Sequence, residues 1–300
     1  MKKQTPPTLS INQIQELTIK ALFTDDYLLN KIVLKGGNAL SHAYRMVDRT
    51  STDVDLSIRG DFDRPKAEIE ELLSSQLSRV FLEKGCTVFD CSFIPKPEEF
   101  GRPELKEFWG GYVFEFKVIS TADFNAISSN PQDLRRRSMP VDVSSGRTFT
   151  IEFSRHEYCD PSEPITIAGS RAVVYSALLI VIEKLRAICQ QMPDYRQVVP
   201  TMKSRPRPRD FFDIFNLVEQ RKLSDELTEE VSLQVIKHVF EAKRVALKFL
   251  GRIEDSRDFH ESGFPALKAT IPADSGIEPF GFYFNYVERI GRKIWSKLES

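Results

Sequence analysis

Two aspartates, Asp53 and Asp55, have the residue type and the spacing of a metal-binding pair. They lie in the segment Asp53–Ile58, where charged or polar residues alternate with apolar ones. Side chains of a strand alternate between its two faces, so both carboxylates are expected to point the same way. Two neighbouring carboxylates repel each other, and a pair of hard divalent cations such as Mg²⁺ would relieve that repulsion. The pair therefore predicts a two-ion magnesium site.

A glycine pair, Gly36 and Gly37, precedes the aspartates and follows the apolar run Ile32–Leu34, which predicts a short buried strand. Asn38 is a favourable N-cap for the helical pattern that continues to Tyr44. A glycine turn at a helix N-terminus offers backbone N–H groups and a favourable dipole to phosphates. Either feature alone is more often a plain turn or a solvated strand face. Their order and spacing together predict a site for a nucleoside triphosphate and two magnesium ions.

This stretch resembles the first motif of the AbiEii/AbiGii-type toxin nucleotidyltransferases of bacterial abortive-infection systems, in the DNA-polymerase-β-like nucleotidyltransferase superfamily. The family pattern has Leu-Lys-Gly-Gly followed by a hydroxyl residue, then Arg-x-Ser-x-Asp-x-Asp. The chain has LKGGN and DRTSTDVDLSI, with Asn38 where the family often has Thr or Ser. The resemblance implies catalytic and metal-binding roles for Asp53 and Asp55. It also implies that five residues bind the nucleotide: Gly36, Gly37, Asn38, Arg49 and Ser51.

A third carboxylate is expected from the same resemblance, because in the superfamily one on a later strand completes the metal site beside the aspartate pair. Glu152 is the candidate, since it lies in the alternating segment 148–153, which predicts a strand. Asp142 is the second choice. Glu152 could equally be an outward-facing strand residue, so this assignment stays open.

A second constellation lies far along the chain, at Lys184 and in the segment Arg209–Asp213. A lysine at the polar end of an apolar helix is usually a surface residue, and RDFFD by itself is usually a helix start. Yet EKLRA and RDFFD resemble the second half of the same family. The resemblance implies that Lys184 neutralises triphosphate charge, that Arg209 binds phosphate, and that Asp210 orients Lys184 or a substrate group as a catalytic residue. Asp213 is expected to fix the local helix geometry.

The elements that must position these motifs change in character along the chain. Periods typical of strands and helices alternate at first and become helical after about residue 160. We expect an α+β fold with an N-terminal nucleotidyltransferase domain, residues 1–160, in which helices flank a mixed twisted sheet. A C-terminal helical domain, residues 161–300, is expected to complete the active-site cleft. Within it, the segment Ser170–Gln191 is expected to form one long helix.

Composition and charge argue against several classes of partner and site. The 300 residues carry a formal net charge of −1, so any nucleic-acid binding must come from a local patch, and no DNA partner is expected. Four cysteines without Cys-x-x-Cys spacing argue against a zinc site or a disulfide framework. The N-terminus has no apolar h-region and no apolar run is long enough to span a bilayer. We therefore expect a cytoplasmic protein with no membrane partner.

The function implied by the resemblance is Mg²⁺-dependent transfer of NMP from an NTP to an RNA acceptor, with tRNA as the candidate. The protein would be the toxin of a toxin–antitoxin or abortive-infection system, held in check by a cognate antitoxin protein. Two alternatives stay open. One is a nucleotidyltransferase that acts on a small molecule or a protein, and the other is a non-catalytic nucleotide-binding module of the same fold.

The segment Met202–Arg209 bears on the acceptor, because it is rich in proline and its cations fall at every second position. One interpretation is that Lys203, Arg205 and Arg207 hold an RNA backbone at the rim of the cleft. The other is a solvated loop whose prolines separate two helices. Composition alone does not choose between them.

Overall fold

The structure is a computed structural model, and it describes residues 9–46, 53–141, 146–271 and 276–299. These residues form a seven-stranded mixed sheet with helices packed on it, which confirms the expected α+β fold. The strand order across the sheet is β3-β4-β5-β2-β1-β7-β6. The pairs β1–β7 and β2–β5 are parallel, and the other neighbours are antiparallel. The strands are β1 (Ile32–Leu34), β2 (Val54–Ile58), β3 (Cys86–Lys96), β4 (Gly111–Ser120), β5 (Phe149–Ser154), β6 (Ser162–Ile167) and β7 (Ser170–Tyr175).

The first group of helices surrounds the strands that carry the glycine and aspartate motifs. Helix α1 starts with a capping box, in which Ser10 and Gln13 satisfy each other's backbone N–H groups. Its apolar face is buried, and α1 packs against α4 as well as against the sheet. The helices are α1 (Ile11–Phe23), α2 (Asp26–Lys31), α3 (Gly36–Asn38), α4 (Lys66–Leu82), α5 (Thr121–Ile127) and α6 (Pro131–Arg137).

The second group of helices includes α7, whose side chains are buried on almost every side and on which α8 and α9 pack. Helix α8 packs on α7, and the ring of its Phe211 stacks on Phe284 of α12 with centroids 5.2 Å apart. None of the helices in the described ranges is long and apolar enough to cross a bilayer. The helices are α7 (Ala177–Cys189), α8 (Pro208–Arg221), α9 (Glu230–Ala242), α10 (Arg257–Glu261), α11 (Phe264–Lys268) and α12 (Phe280–Glu299).

The expectation of one long helix over Ser170–Gln191 is wrong in its first part. Strands β6 and β7 form a hairpin that joins the sheet, and β7 runs parallel to β1. Helix α7 begins only after Ser176, whose side chain caps it by accepting from the N–H of Leu179. The reason is that a short apolar run is compatible with a buried strand or a buried helix, so only pairing with β1 decides. The part of the chain that is helical without further strands therefore begins with α7 and not at residue 161, and the division into two domains near residue 160 stays a prediction.

Candidate active site

The glycine pair follows β1 and forms the first two residues of α3, which continues as a π-helical turn to Ala43. Gly36 has a φ of +65°, and a Cβ built on it would lie 2.4 Å from Oδ2 of Asp55. Both the left-handed backbone and the close approach of the carboxylate therefore require glycine here. The turn and the aspartate are in direct contact, although eighteen residues separate them in sequence.

Asn38 does not have the expected role of N-cap. The helix begins two residues earlier, with Lys35 at the N-cap position, and Asn38 lies inside it. Its side chain is 1% exposed and its amide nitrogen donates to the backbone oxygen of Asp53. Asn38 thus holds the start of β2 against the glycine turn and does not line the cleft. Arg49 and Ser51, the other two expected nucleotide ligands, lie outside the described residues.

The three carboxylates predicted for the metal site lie on or next to two neighbouring strands in the middle of the sheet. Strands β2 and β5 are parallel neighbours, and Asp55 is the direct partner of Glu152. Burial raises the pKa of Asp55 to about 6; Lys35 opposes this, and the charges of Glu152 and Asp53 add to it. Burial and Glu152 also raise the pKa of Asp53. Both aspartates are therefore close enough to Glu152 to feel its charge, whereas Asp142 lies outside the described residues.

These carboxylates have the chemistry that a magnesium ion needs. Oxygen donors are its preferred protein ligands, and a divalent cation would relieve the repulsion from Glu152 that adds to burial in raising both aspartate pKa values. Among the described residues, however, no group of three Asp, Glu, His or Cys side chains is already arranged around one point. Glu152 instead pairs with Lys96, whose Nζ is 2.6 Å from Oε1. A metal ion held by the aspartates and Glu152 would compete with Lys96 for this carboxylate.

The second predicted constellation forms a buried ion cluster between α7 and α8. Nζ of Lys184 lies 2.8 Å from Oδ1 of Asp210 and 2.8 Å from Oδ2 of Asp213. Arg207 pairs with the other oxygen of Asp210. Burial raises the pKa of Asp210, but Arg207 and Lys184 outweigh it and hold this pKa well below its usual range. Lys184, with 7% of its side chain exposed, is not a surface lysine, and Asp213 contacts it directly instead of only shaping the helix.

One cleft of about 670 Å³ brings the two constellations together. Its lining includes the glycine turn, Asp55 and Glu152 from the sheet, together with Lys184, Asp210 and the loop 205–209 from the helical part. Arg209 lines this cleft and is exposed. The loop is anchored at Arg207, whose backbone N–H donates to Nδ1 of the buried His260 over 3.0 Å. Residues more than 120 positions apart in sequence thus face the same cavity.

A comparison with protein-family models decides the family. Residues 20–274 match the model described as "Nucleotidyl transferase AbiEii toxin, Type IV TA system". The chain belongs to the AbiEii family. This confirms the resemblance seen in the sequence, and it makes the protein a nucleotidyltransferase, which uses an NTP, from the toxin side of a toxin–antitoxin system.

Other comparisons with this AbiEii-family chain give distant structural likenesses. The crystal structure of JHP933 from Helicobacter pylori is 17% identical, with 96% of this chain and 91% of that one covered and a TM-score of 0.47. An antigenic nucleotidyltransferase-like protein from Paracoccidioides brasiliensis is 17% identical, with 79% and 100% covered and a TM-score of 0.36. No curated protein matches the sequence.

A buried network beside the cleft of the AbiEii-family protein was not predicted. Glu157 accepts from two lysines, with Nζ of Lys35 at 3.5 Å and Nζ of Lys243 at 3.3 Å from its Oε1. Burial raises the pKa of Glu157, but Lys35 and Lys243 outweigh it and lower this pKa below its usual range. Lys35 also lines the cleft. Its place directly before Gly36 was a usable signal, whereas no local pattern marks Glu157 or Lys243.

Proposed function

We propose that this toxin transfers NMP from an NTP to a hydroxyl of an RNA in a Mg²⁺-dependent reaction, with tRNA as the candidate acceptor. The observation that carries the proposal is the shared cleft of about 670 Å³, whose lining combines a glycine turn, carboxylates and the cations Lys35, Arg205 and Arg209. A nucleotide triphosphate has matching parts, because its phosphates need N–H groups and cations, and its reacting phosphorus needs a metal. Partnership with a cognate antitoxin follows from the family.

The triphosphate would lie with its tail at the glycine turn. Backbone N–H groups of Gly36 and Gly37 at the start of a helical turn suit phosphate oxygens, and Lys35 adds a nearby positive charge. Arg209 lines the same cleft and can offer its guanidinium fork to phosphate. Lys184 forms ion pairs with Asp210 and Asp213, so it would hold α8 and the preceding loop at the cleft as well as add positive potential there.

Asp53, Asp55 and Glu152 would hold magnesium, which when bound neutralises phosphate charge and lowers the pKa of the acceptor hydroxyl. The hydroxyl oxygen forms a bond to the α-phosphorus while the bond to pyrophosphate breaks, and the hydroxyl proton passes to solvent. The chain contributes mainly by position, since Gly36 lets the Asp55 carboxylate approach the phosphate-binding turn closely. No covalent enzyme intermediate is needed.

The loop that follows Met202 would guide the acceptor, in a narrower form of the interpretation that Lys203, Arg205 and Arg207 all hold RNA. Lys203 and Arg205 are exposed, and Arg205 lines the cleft. Arg207 is paired with the buried Asp210, so its side chain serves the protein rather than an RNA backbone. We therefore assign RNA binding to Lys203 and Arg205 alone.

The test is to incubate the purified protein with each labelled NTP, Mg²⁺ and total RNA, and to follow both the label and pyrophosphate. Label in RNA, lost with Asp53→Asn or Asp55→Asn, is the expected result. Label in a small molecule or in protein would favour the alternative acceptors. NTP binding without pyrophosphate release would favour a non-catalytic module.

A charge-neutralising pair tests the loop. Lys203→Gln with Arg205→Gln should weaken RNA binding and reduce its salt slope by about one per cation, with NTP affinity unchanged. The matched control is Lys66→Gln with Lys84→Gln, which makes the same charge change at exposed positions outside the cleft. Equal salt slopes for the two double variants would remove the loop from the RNA site.

A further inference from the structure

The buried carboxylate of Glu157 is the centre of a network of charges beside the cleft. Nζ of Lys35 and Nζ of Lys243 lie 3.5 and 3.3 Å from its Oε1. Nη2 of Arg186 lies 3.9 Å from its Oε2 and 2.6 Å from Oε1 of Glu183. No more than 20% of any of these five side chains is exposed. Three cations thus meet two carboxylates, and of the three cations it is Lys35 that lines the cleft.

The backbone of Lys35 is held independently of its side chain. Its N–H donates to the backbone oxygen of Asp55 over 3.0 Å, and its carbonyl accepts from the N–H of Ala39 over 3.3 Å. Lys35 is the N-cap residue directly before Gly36, but its side chain makes no capping hydrogen bond. A lysine side chain has a flexible four-carbon stem, so the ammonium lies where its ion-pair partner holds it. That partner is Glu157.

Glu157 is held in turn from the end of α9. Lys243, the residue after that helix, donates through Nζ to the backbone oxygens of Arg155 over 2.7 Å and Phe108 over 3.4 Å. Its own carbonyl accepts from the hydroxyl of Tyr195 over 2.6 Å. Lys243 is therefore fixed by contacts other than its ion pair with Glu157. A helix that carries no site motif thus reaches the glycine turn through two successive ion pairs.

This arrangement suits a cation that is prepared for a phosphate. Burial lowers the pKa of Lys35, but Glu157 is the charge that most strongly opposes burial, and this pKa stays above its usual value. A cation that is ordered beforehand loses less freedom when its ligand binds, so the ligand binds more tightly. A lysine–glutamate ion pair has a comparable part in protein kinases, where it must be in place for phosphoryl transfer.

We propose that Glu157 is a positioning residue of the nucleotide site, which acts by holding the ammonium of Lys35 beside the glycine pair. Lys243 anchors Glu157 from the helical side. The proposal rests on the proposed function, since it takes the triphosphate to lie at Gly36 and Gly37. If the ion pair served folding alone, the effect of Glu157 on phosphate binding would not depend on Lys35.

Calorimetric titration with inorganic tripolyphosphate in excess Mg²⁺ tests the proposal without RNA or catalysis. Lys35→Met should weaken binding by about 10- to 150-fold, the loss of one hydrogen bond to a charged group. Glu157→Gln should weaken binding by no more than Lys35→Met does, because the amide has no charge to hold the ammonium against repulsion by Lys243. In the Lys35→Met background, Glu157→Gln should change the affinity by less than about twofold, since its route to the phosphates is already lost.

A carboxylate elsewhere in the protein is the matched control. Asp90 also pairs with a lysine and an arginine, but it does not line the cleft, so Asp90→Asn should leave tripolyphosphate binding unchanged. Glu157→Asp keeps the charge but shortens the side chain, so its affinity should lie between those of wild type and Glu157→Gln. It takes the place of Glu157→Gln in the double-variant comparison if that variant does not fold.

Four results would overturn the positioning role. They are wild-type affinity in Lys35→Met, unchanged or tighter binding in Glu157→Gln, an equal loss from Glu157→Gln with and without Lys35, and an equal loss in Asp90→Asn. Any of them alongside nucleotide transfer to RNA would leave the proposed function standing. Dependence of the Glu157 effect on Lys35, without nucleotide transfer to any acceptor, would instead refute the proposed function and leave Glu157 assigned.

Discussion

Replacing the Asp55 carboxylate by an amide should stabilise the protein at pH 7 while it abolishes transfer. Burial raises the pKa of Asp55 from 3.8 to about 6, and Glu152 and Asp53 add to this. A raised folded-state pKa means that the folded protein holds this proton more tightly than the unfolded chain. The free energy of unfolding therefore falls as the pH rises from about 4 to about 6 and stays lower above. The shift corresponds to about 3 kcal/mol at pH 7, which is the upper limit of the gain for Asp55→Asn.

The gain in stability is measured by urea denaturation without divalent cations at several pH values from 4.5 to 7. Asp55→Asn should exceed wild type in free energy of unfolding at pH 7, and the difference should shrink toward pH 4.5. Asp26→Asn, at an exposed position of α2, is the matched control and should change stability by no more than about 0.5 kcal/mol.

Magnesium gives the second half of the measurement. If Asp55 is a ligand, Mg²⁺ should stabilise wild type, by about 2.7 kcal/mol at a hundred times its Kd, and should stabilise Asp55→Asn far less. The reasoning is refuted if Asp55→Asn is less stable than wild type at pH 7 without metal. Equal stabilisation of both proteins by Mg²⁺ would remove Asp55 from the metal site.

Three further outcomes are expected. Gly36→Ala should lower the free energy of unfolding by about 1–2 kcal/mol because its φ is positive, and it should also lose nucleotide transfer because the new Cβ meets Asp55. Gly60→Ala is the control, since Gly60 has a φ of +75° with open space around it, and this variant should lose stability but not transfer. Lys184→Met should lower the free energy of unfolding, measured by urea denaturation, by about 3–5 kcal/mol, because it leaves two buried carboxylates without their lysine. A decrease of less than about 1 kcal/mol would contradict the buried pairing. Burial lowers the pKa of His260 to about 4, so its contribution to stability is complete above about pH 6.5 and falls by about 3 kcal/mol toward pH 4. His260→Asn, compared with wild type over that range, should lack this loss, and parallel pH profiles would disprove it.

Local sequence patterns were enough to predict an element of structure wherever the interacting residues are neighbours in sequence. The Ser10–Gln13 capping box and the apolar spacing after it predict α1, since capping involves residues three apart. The alternation around Asp55 and Glu152 predicts both strands for the same reason. The Gly36–Gly37 pair likewise indicates a turn with a special backbone. Motif spacing and resemblance then predicted the nucleotidyltransferase family from residues that lie far apart.

Long-range pairing decided what these signals left open. The residues Ser170–Tyr175 alone do not indicate whether the segment pairs with β1 as a strand or extends the helix that follows, because a short buried run suits either structure. Asn38 has the residue type of an N-cap, but its hydrogen bond to the Asp53 backbone places it inside the helix. Asp213 contacts Lys184 only because α7 and α8 pack side by side.

The sequence by itself identified the nucleotidyltransferase family and predicted the groups of its site: a glycine turn, a carboxylate pair and a lysine–aspartate group. Only the tertiary structure decided which groups share a cavity and what charge each one feels. Asp55 faces Glu152 because β2 and β5 are parallel neighbours, and Arg207 is tied to Asp210 inside the protein. The physical reason is that residue type fixes what a side chain can do, whereas burial and partners, which come from contacts between distant segments, fix what it does.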